Sequence, residues 1–221
     1  METTKPSLLP FGLSIGGVVA AFALLIALSP SGAGAATAQC TQSSGTVRSD
    51  GALGEVNKVI VGYRKRDNQL RVINRAQLPS GVRDITDVVC PNDQRWHWIV
   101  LRLRDKNDTV RLTGRDPVMR GYKKVPRTIA VRVNAGSGND QIFGHHGRDH
   151  VNAGADRDRV RTFKGNDWIK GGNGRDRIWA GPGKDEIHVD DGNKDFVDCG
   201  PGTDIVYADP RDVLVNCERI R

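Results

Sequence analysis

The sequence predicts an all-β solenoid, a chain wound into a coil of short strands, and three registers at a spacing of nine residues predict it. Between Asn134 and Val206 an acidic register runs through Asp140, Asp149, Asp158, Asp167, Asp176 and Asp185, then Asp195 and Asp204 after a one-residue insertion. An aliphatic register follows two positions later at Ile142, Val151, Val160, Ile169, Ile178 and Ile187, and Val206 closes it. A glycine register precedes most of the aspartates by two residues, at Gly138, Gly147, Gly165, Gly174, Gly183 and Gly202. Nine residues fit neither a helix, at about 3.6 residues per turn, nor an alternating strand, at about 2, so nine is the period of a coil of chain.

Within one period the glycines permit a curled turn, because they reach positive φ without a Cβ clash. The three residues after each aspartate then read as a short strand whose central aliphatic side chain points inward. The fullest copy is Gly171–Ile178, GGNGRDRI, which matches G-G-x-G-x-D-x-U-x with U a large aliphatic residue. These residues resemble the haemolysin-type (RTX) calcium-binding repeat family. The resemblance implies a parallel β-roll with a glycine-rich turn, a strand, a second turn and a second strand in each layer, and it implies Ca²⁺ as cofactor. The ligands it implies are the eight aspartates and the peptide carbonyls of turns that contain Gly136, Gly138, Gly154, Gly172, Gly174, Gly181, Gly183, Gly200 and Gly202.

Two nonapeptides make a layer, so aspartates of alternate copies stack. One column holds Asp140, Asp158, Asp176 and Asp195, and the other holds Asp149, Asp167, Asp185 and Asp204. Layers lie about 4.8 Å apart, and two bare carboxylates about 5 Å apart repel by roughly 3 kcal/mol at an effective dielectric of about 20. A hard dication that accepts carbonyl oxygens in flexible geometry relieves this repulsion; Mg²⁺, with its tight octahedron, suits the cage poorly. The copies are unequal. Arg161–Asp167 lacks leading glycines, Phe143–Asp149 keeps one, Asp156 replaces a glycine, and Asp190–Asp195 carries the insertion and reads as a broken site. The pairs Asp140/Asp158, Asp158/Asp176 and Asp185/Asp204 read best.

Residues 1–38 read as a signal peptide, with an apolar stretch at 13–28 after Lys5 and small residues at Ala36-Thr37-Ala38 before the cleavage point. Secretion to the exterior or the cell surface follows, with no transmembrane segment once the signal is removed. The four cysteines are an even number for an exported chain. Locality favours Cys40–Cys90 and Cys199–Cys217, the second clipping a C-terminal cap at 207–221 onto the last repeat. No C-x-x-C or Cys/His spacing of the zinc kind occurs.

Residues 39–133 form a basic, β-rich N-terminal region with nineteen Lys/Arg against nine Asp/Glu, a surplus of +10. The repeat segment 134–206 has ten against thirteen, or −3. Strands are expected at Lys58–Tyr63, Gln69–Ile73, Trp98–Arg104 and Ile129–Val133. Asp105–Leu112 resembles a degenerate repeat with Asp108 in the acidic slot, and no calcium is assigned to it. Gly54-Glu55-Val56-Asn57, the central cysteine and the terminal Cys-Glu-Arg are similar to those of secreted bacterial calcium-binding proteins. The region is either the ion-free start of the same solenoid or a small β domain of its own.

His145, His146 and His150 read as solvent-exposed histidines. Trp96, Trp98, Trp168 and Trp179 either stack on sugars or pack on neighbouring layers. No nucleophile elbow, H-E-x-x-H or phosphate loop occurs, so no enzyme is expected, and no nucleic-acid signature accompanies the basic charge. The function expected is a secreted calcium-binding β-roll, structural or adhesive, with calcium ions and anionic envelope polymers or polysaccharide as partners. The alternative is a degenerate solenoid that binds polyanion or carbohydrate through its basic face.

Overall fold

Short strands are what the repeat allows, because each glycine turn takes the chain around a corner before a third or fourth residue can extend the pairing. The computed structural model describes residues 37–41, 46–51, 56–64, 69–77, 83–90, 98–112 and 123–221. The apolar stretch 13–28 lies outside these residues, as do Trp96 and the side chains of Cys40 and Cys90, so the signal and the first disulfide are not placed by it. Among the described residues every regular element is a strand, and no helix is long and apolar enough to cross a membrane.

Two nine-stranded sheets face each other. The first runs in the order β1 (Thr37–Thr41), β2 (Thr46–Asp50), β6 (Trp98–Arg102), β8 (Ala130–Ser137), β10 (Asp149–Ala155), β12 (Trp168–Asn173), β14 (Glu186–Val189), β16 (Ile205–Ala208) and β18 (Arg219–Ile220). The second runs β5 (Arg83–Cys90), β4 (Gln69–Gln77), β3 (Val56–Arg64), β7 (Thr109–Arg111), β9 (Gln141–Phe143), β11 (Arg159–Arg161), β13 (Arg177–Trp179), β15 (Phe196–Asp198) and β17 (Val213–Val215). From β8 onward the chain alternates between sheets, and all pairing is parallel. This is a parallel β-roll. At the other end β1 runs antiparallel to β2, and β4 is antiparallel to both β3 and β5. Strands β2, β3, β6 and β7 nevertheless pair in parallel with the roll, so the two sheets continue without a break.

The aliphatic register becomes two internal columns. Val151, Ile169, Ile187 and Val206 pair in sequence down one sheet, and Ile142, Val160, Ile178 and Val197 pair down the other. All eight are at most 1% exposed and share one core with Val47, Val59, Ile99, Leu101 and Val110. Glycine is obligatory where successive turns nest. Gly154 and Gly172 hold φ of +116° and +94°, and a Cβ on either would lie within 2 Å of the carbonyl oxygen one layer before it (1.8 and 1.9 Å). The C-terminal segment forms a further layer, with β17 on β15 and β18 on β16, and the Cys199–Cys217 disulfide ties it down.

Ile169→Ala, which empties the middle of this core, is expected to lower stability by about 3 kcal/mol. The exposed neighbour change Arg159→Ala should alter it by less than about 0.5 kcal/mol. Equilibrium urea denaturation of the calcium-loaded protein separates the two.

Candidate metal centre

At the corner between the sheets, an aspartate side chain is short enough to reach one layer back along the coil and no further. The Asp140 main-chain N–H donates to Asp158 Oδ1 at 2.8 Å, that of Asp158 to Asp176 Oδ1 at 2.9 Å, and that of Asp176 to Asp195 Oδ1 at 2.7 Å. At the opposite corner Asp149, Asp167 and Asp185 donate in the same way to Asp167, Asp185 and Asp204, each at 2.8 Å. Two hydrogen-bonded ladders of carboxylates result, in the two columns expected from the eighteen-residue step.

Both ladders run beyond the eight predicted aspartates. The first begins earlier, with Asn57 N–H on Asp108 Oδ1 and Asp108 N–H on Asp140 Oδ1, both at 2.6 Å. It ends with Asp195 N–H on Asp212 Oδ1 at 2.9 Å, and the second ends with Asp204 N–H on Glu218 Oε2 at 3.0 Å. Asp108 could be read from its D-x-V pattern. Asp212 and Glu218 lacked the glycines that mark a repeat, and only the stacking of the last layer reveals them.

The second oxygen of each carboxylate decides the chemistry. Oδ2 of Asp108, Asp140, Asp158, Asp167, Asp176, Asp185, Asp195 and Asp204 is buried and has no hydrogen-bond partner, although these residues are at most 3% exposed. A buried acceptor without a partner is destabilising by about 1–3 kcal/mol, more when ionised, and this one recurs layer after layer. Asp149 is the exception, because both of its oxygens are engaged. Its Oδ2 accepts the His145 main-chain N–H at 2.9 Å and its Oδ1 lies 2.7 Å from His145 Nδ1.

Burial sets the protonation of the ladders. It pushes Asp158 up to about 8, against the hydrogen bond from Asp140 that favours the anion, and the carboxylates of Asp176 and Asp140 add to the rise. Burial likewise brings Asp108 to about 8 and Asp140, Asp167, Asp176 and Asp185 to about 7. Asp195 reaches about 6 and Asp204 is raised as well, again chiefly through burial.

A divalent cation fits these residues. Among the described residues no three His, Cys, Asp or Glu side chains converge on one point, so carboxylates alone do not make a cage and peptide carbonyls must complete it. An all-oxygen set of that kind suits Ca²⁺, which takes six to eight oxygens in flexible geometry. The predicted glycines lie in the same turns. Gly136, Gly138, Gly154, Gly172 and Gly174 stand at the first ladder's corner, and Gly181, Gly183, Gly200 and Gly202 at the second's.

The irregular copies keep their places. Phe163, where glycine was expected, adopts φ of +75°. Asp156 adopts φ of +82° and caps the Gly138 N–H at 3.1 Å. The extra residue before Asp195, which made that site read as broken, is taken up around Gly192, and the ladder passes through at 2.7 and 2.9 Å.

The histidines differ from expectation. His145 is buried at 1% exposure because its imidazole is drawn onto Asp149. His146 meets Lys124 Nζ at 2.8 Å, and His150 stacks on Trp168 with ring centres 4.2 Å apart. Trp168 is also flanked by His188, at 5.4 Å, and Trp179 by Phe196, at 5.9 Å. These tryptophans therefore pack on neighbouring layers, Trp168 between His150 and His188 and Trp179 against Phe196.

A family model for the RTX calcium-binding nonapeptide repeat, present in 4 copies, matches residues 132–160 and 162–193. That segment consists of RTX repeats, and the roll it forms is a calcium-binding one. Asp195 and Asp204 continue the same geometry past the matched residues. No curated protein and no solved structure matches the chain.

The raised carboxyls fix a pH dependence. A carboxyl whose folded pKa exceeds its unfolded value binds more protons folded than unfolded between the two, so ion-free stability is present at low pH and is lost as pH rises through the folded value. In EDTA the urea midpoint is expected to fall steadily from pH 4 to pH 8. Calcium uptake near pH 7 should release protons, visible as a buffer-dependent heat in titration calorimetry. A midpoint in EDTA that climbs with pH would contradict the burial-driven shifts.

Proposed function

We propose that this protein is a secreted calcium-binding module whose acidic ladders become a stable roll on loading, and that it serves as a structural or adhesive element outside the cell rather than as an enzyme. The observation that carries the reading is the row of buried Oδ2 atoms without partners at Asp140, Asp158, Asp167, Asp176, Asp185, Asp195 and Asp204. These carboxylates, with carbonyls of the glycine turns, would hold the ions. Calcium would supply the positive charge that these buried oxygens lack and be coordinated by them.

The chain's own residues set the terms of loading. Oδ1 of each aspartate is committed to a main-chain N–H, which fixes the carboxylate plane and leaves Oδ2 as the oxygen to be offered. Arg157, Arg159, Arg175 and Arg177 flank the first ladder and weaken its pull on a cation, which favours millimolar to tenth-millimolar affinity of the extracellular kind. At a dissociation constant of about 0.1 mM and about 1 mM calcium, each independent site adds about 1.4 kcal/mol. A few such sites rival the whole stability of a modest domain.

The Cys199–Cys217 disulfide supports an oxidising, extracytoplasmic compartment. Exposed Arg102, Arg104, Arg111, Lys123, Lys124 and Arg132 give the N-terminal half a basic surface suited to anionic envelope polymers.

Far-UV circular dichroism of residues 39–221 tests the reading. The β signal should be less stable to heat in EDTA, gain stability through a calcium titration and respond little to magnesium. A β spectrum and melting temperature indifferent to calcium would remove the ion as the organising principle. Asp176→Ala, which strips a carboxylate shared by two layers, is expected to lower stability at about 1 mM calcium by about 3 kcal/mol, two sites at about 1.4 each. Retention on an anionic polysaccharide should be lost in high salt if the basic surface mediates it, and in EDTA if the roll does.

A further inference from the structure

Asp149 heads the second ladder, yet it is the only one of the eight predicted aspartates with no orphaned oxygen. The residue responsible is His145. It occupies the turn position that Gly181 and Gly200 hold in later layers, as the main-chain bonds from Gly144 to Arg161 and from Thr162 to Trp179 fix the stacking. A carboxylate only accepts hydrogen bonds, so the contact at 2.7 Å is a donation from His145 Nδ1–H to Asp149 Oδ1, alongside the main-chain donation to Oδ2 at 2.9 Å. Both side chains are sealed from water, at 0% and 1% exposure. Room for the ring comes from Gly147, where a Cβ would stand 2.5 Å from His145 Nε2.

The first ladder has a counterpart at the same end. The slot above Asp108 is held by Asn57, whose main-chain N–H and side-chain Nδ2 approach Asp108 Oδ1 at 2.6 and 3.2 Å. At the amino end of each ladder a nitrogen-bearing side chain thus meets the first carboxylate, Asn57 from the layer before Asp108 and His145 from the same turn as Asp149.

We propose that His145 is a resident substitute for a cation at the head of the second ladder: its two N–H groups take both oxygens of Asp149, which anchors the turn and ligates no calcium. The first calcium-holding carboxylate of that ladder is then Asp167, whose Oδ2 is free of partners. The proposal rests on the reading of the ladders as calcium sites and subtracts one residue from the repeat pattern.

Calcium bound per chain, measured by equilibrium dialysis with elemental analysis on the folded protein, tests it. Asp149→Asn should bind as many ions as the wild type, Asp167→Asn at least one fewer, and His145→Gly, which gives this slot the glycine that the Gly181 and Gly200 layers carry, one more. Loss of an ion in Asp149→Asn while the wild type binds calcium overturns the proposal alone. A wild type that takes up no calcium overturns the ladder reading and the proposal with it. Should Asp149→Asn fail to fold, the His145→Gly count decides, an unchanged or lower number counting against the proposal. In the calcium-loaded wild type the His145 imidazole ¹⁵N resonances give a further check, since Nδ1 should carry the proton donated to Asp149 and an unprotonated Nδ1 would refute the assignment.

Discussion

One contact organises this molecule: a main-chain N–H at each corner donating to the carboxylate of the aspartate one layer on. It requires the layers to repeat at a fixed height and the turns to nest, and it spends one carboxylate oxygen per layer on the chain itself. The glycines at positive φ follow from it, since turns this close leave no room for a Cβ at Gly154 or Gly172. The orphaned oxygens follow as well. A roll held by such ladders carries unsatisfied negative charge at both corners, and a calcium-binding roll is the arrangement in which that charge has a use.

The core and the ladders therefore oppose one another. The columns Val151–Val206 and Ile142–Val197 bury aliphatic side chains completely and favour closing the layers. The same closure desolvates Asp158, Asp167 and Asp176 and holds like charges at layer spacing, so their carboxyls rise toward neutrality. Protonation relieves that strain, and on the proposed reading cation binding relieves it at the same oxygens. On that reading, coupling between folding, pH and calcium is a property of the corner itself and needs no separate switch element.

The roll was legible in the sequence because period, polarity and turn chemistry all agree over residues 134–206. Each register settled one feature: aliphatic residues the core, aspartates the corners, glycines the nesting. Strands at Lys58–Tyr63, Gln69–Ile73, Trp98–Arg104 and Ile129–Val133 were also readable from alternation, and all lie in or across observed strands. Stacking between segments far apart in sequence was not readable. Asp108 meets Asp140 across 32 residues and Asn57 meets Asp108 across 51, intervals that carry no period. Asp212 and Glu218 join the ladders from a layer without repeat glycines. His145 reads as an exposed turn residue because its burial depends on a partner four positions away whose expected role was to hold an ion. The outward tryptophans were undecided for a similar reason, since ring-on-ring stacking down a sheet face depends on register between layers.

Gly192 shows what such an architecture tolerates. The repeat there is one residue too long, and the surplus is accommodated in a turn where even an added Cβ would meet nothing within 4 Å, while the ladder bonds on either side are undisturbed. Corners of this coil are outlets through which chain can leave and return without altering what lies inside. For protein engineering, this makes the Gly192 turn the natural place to splice in a foreign peptide or recognition loop, carried at the corner of the roll and clear of its core.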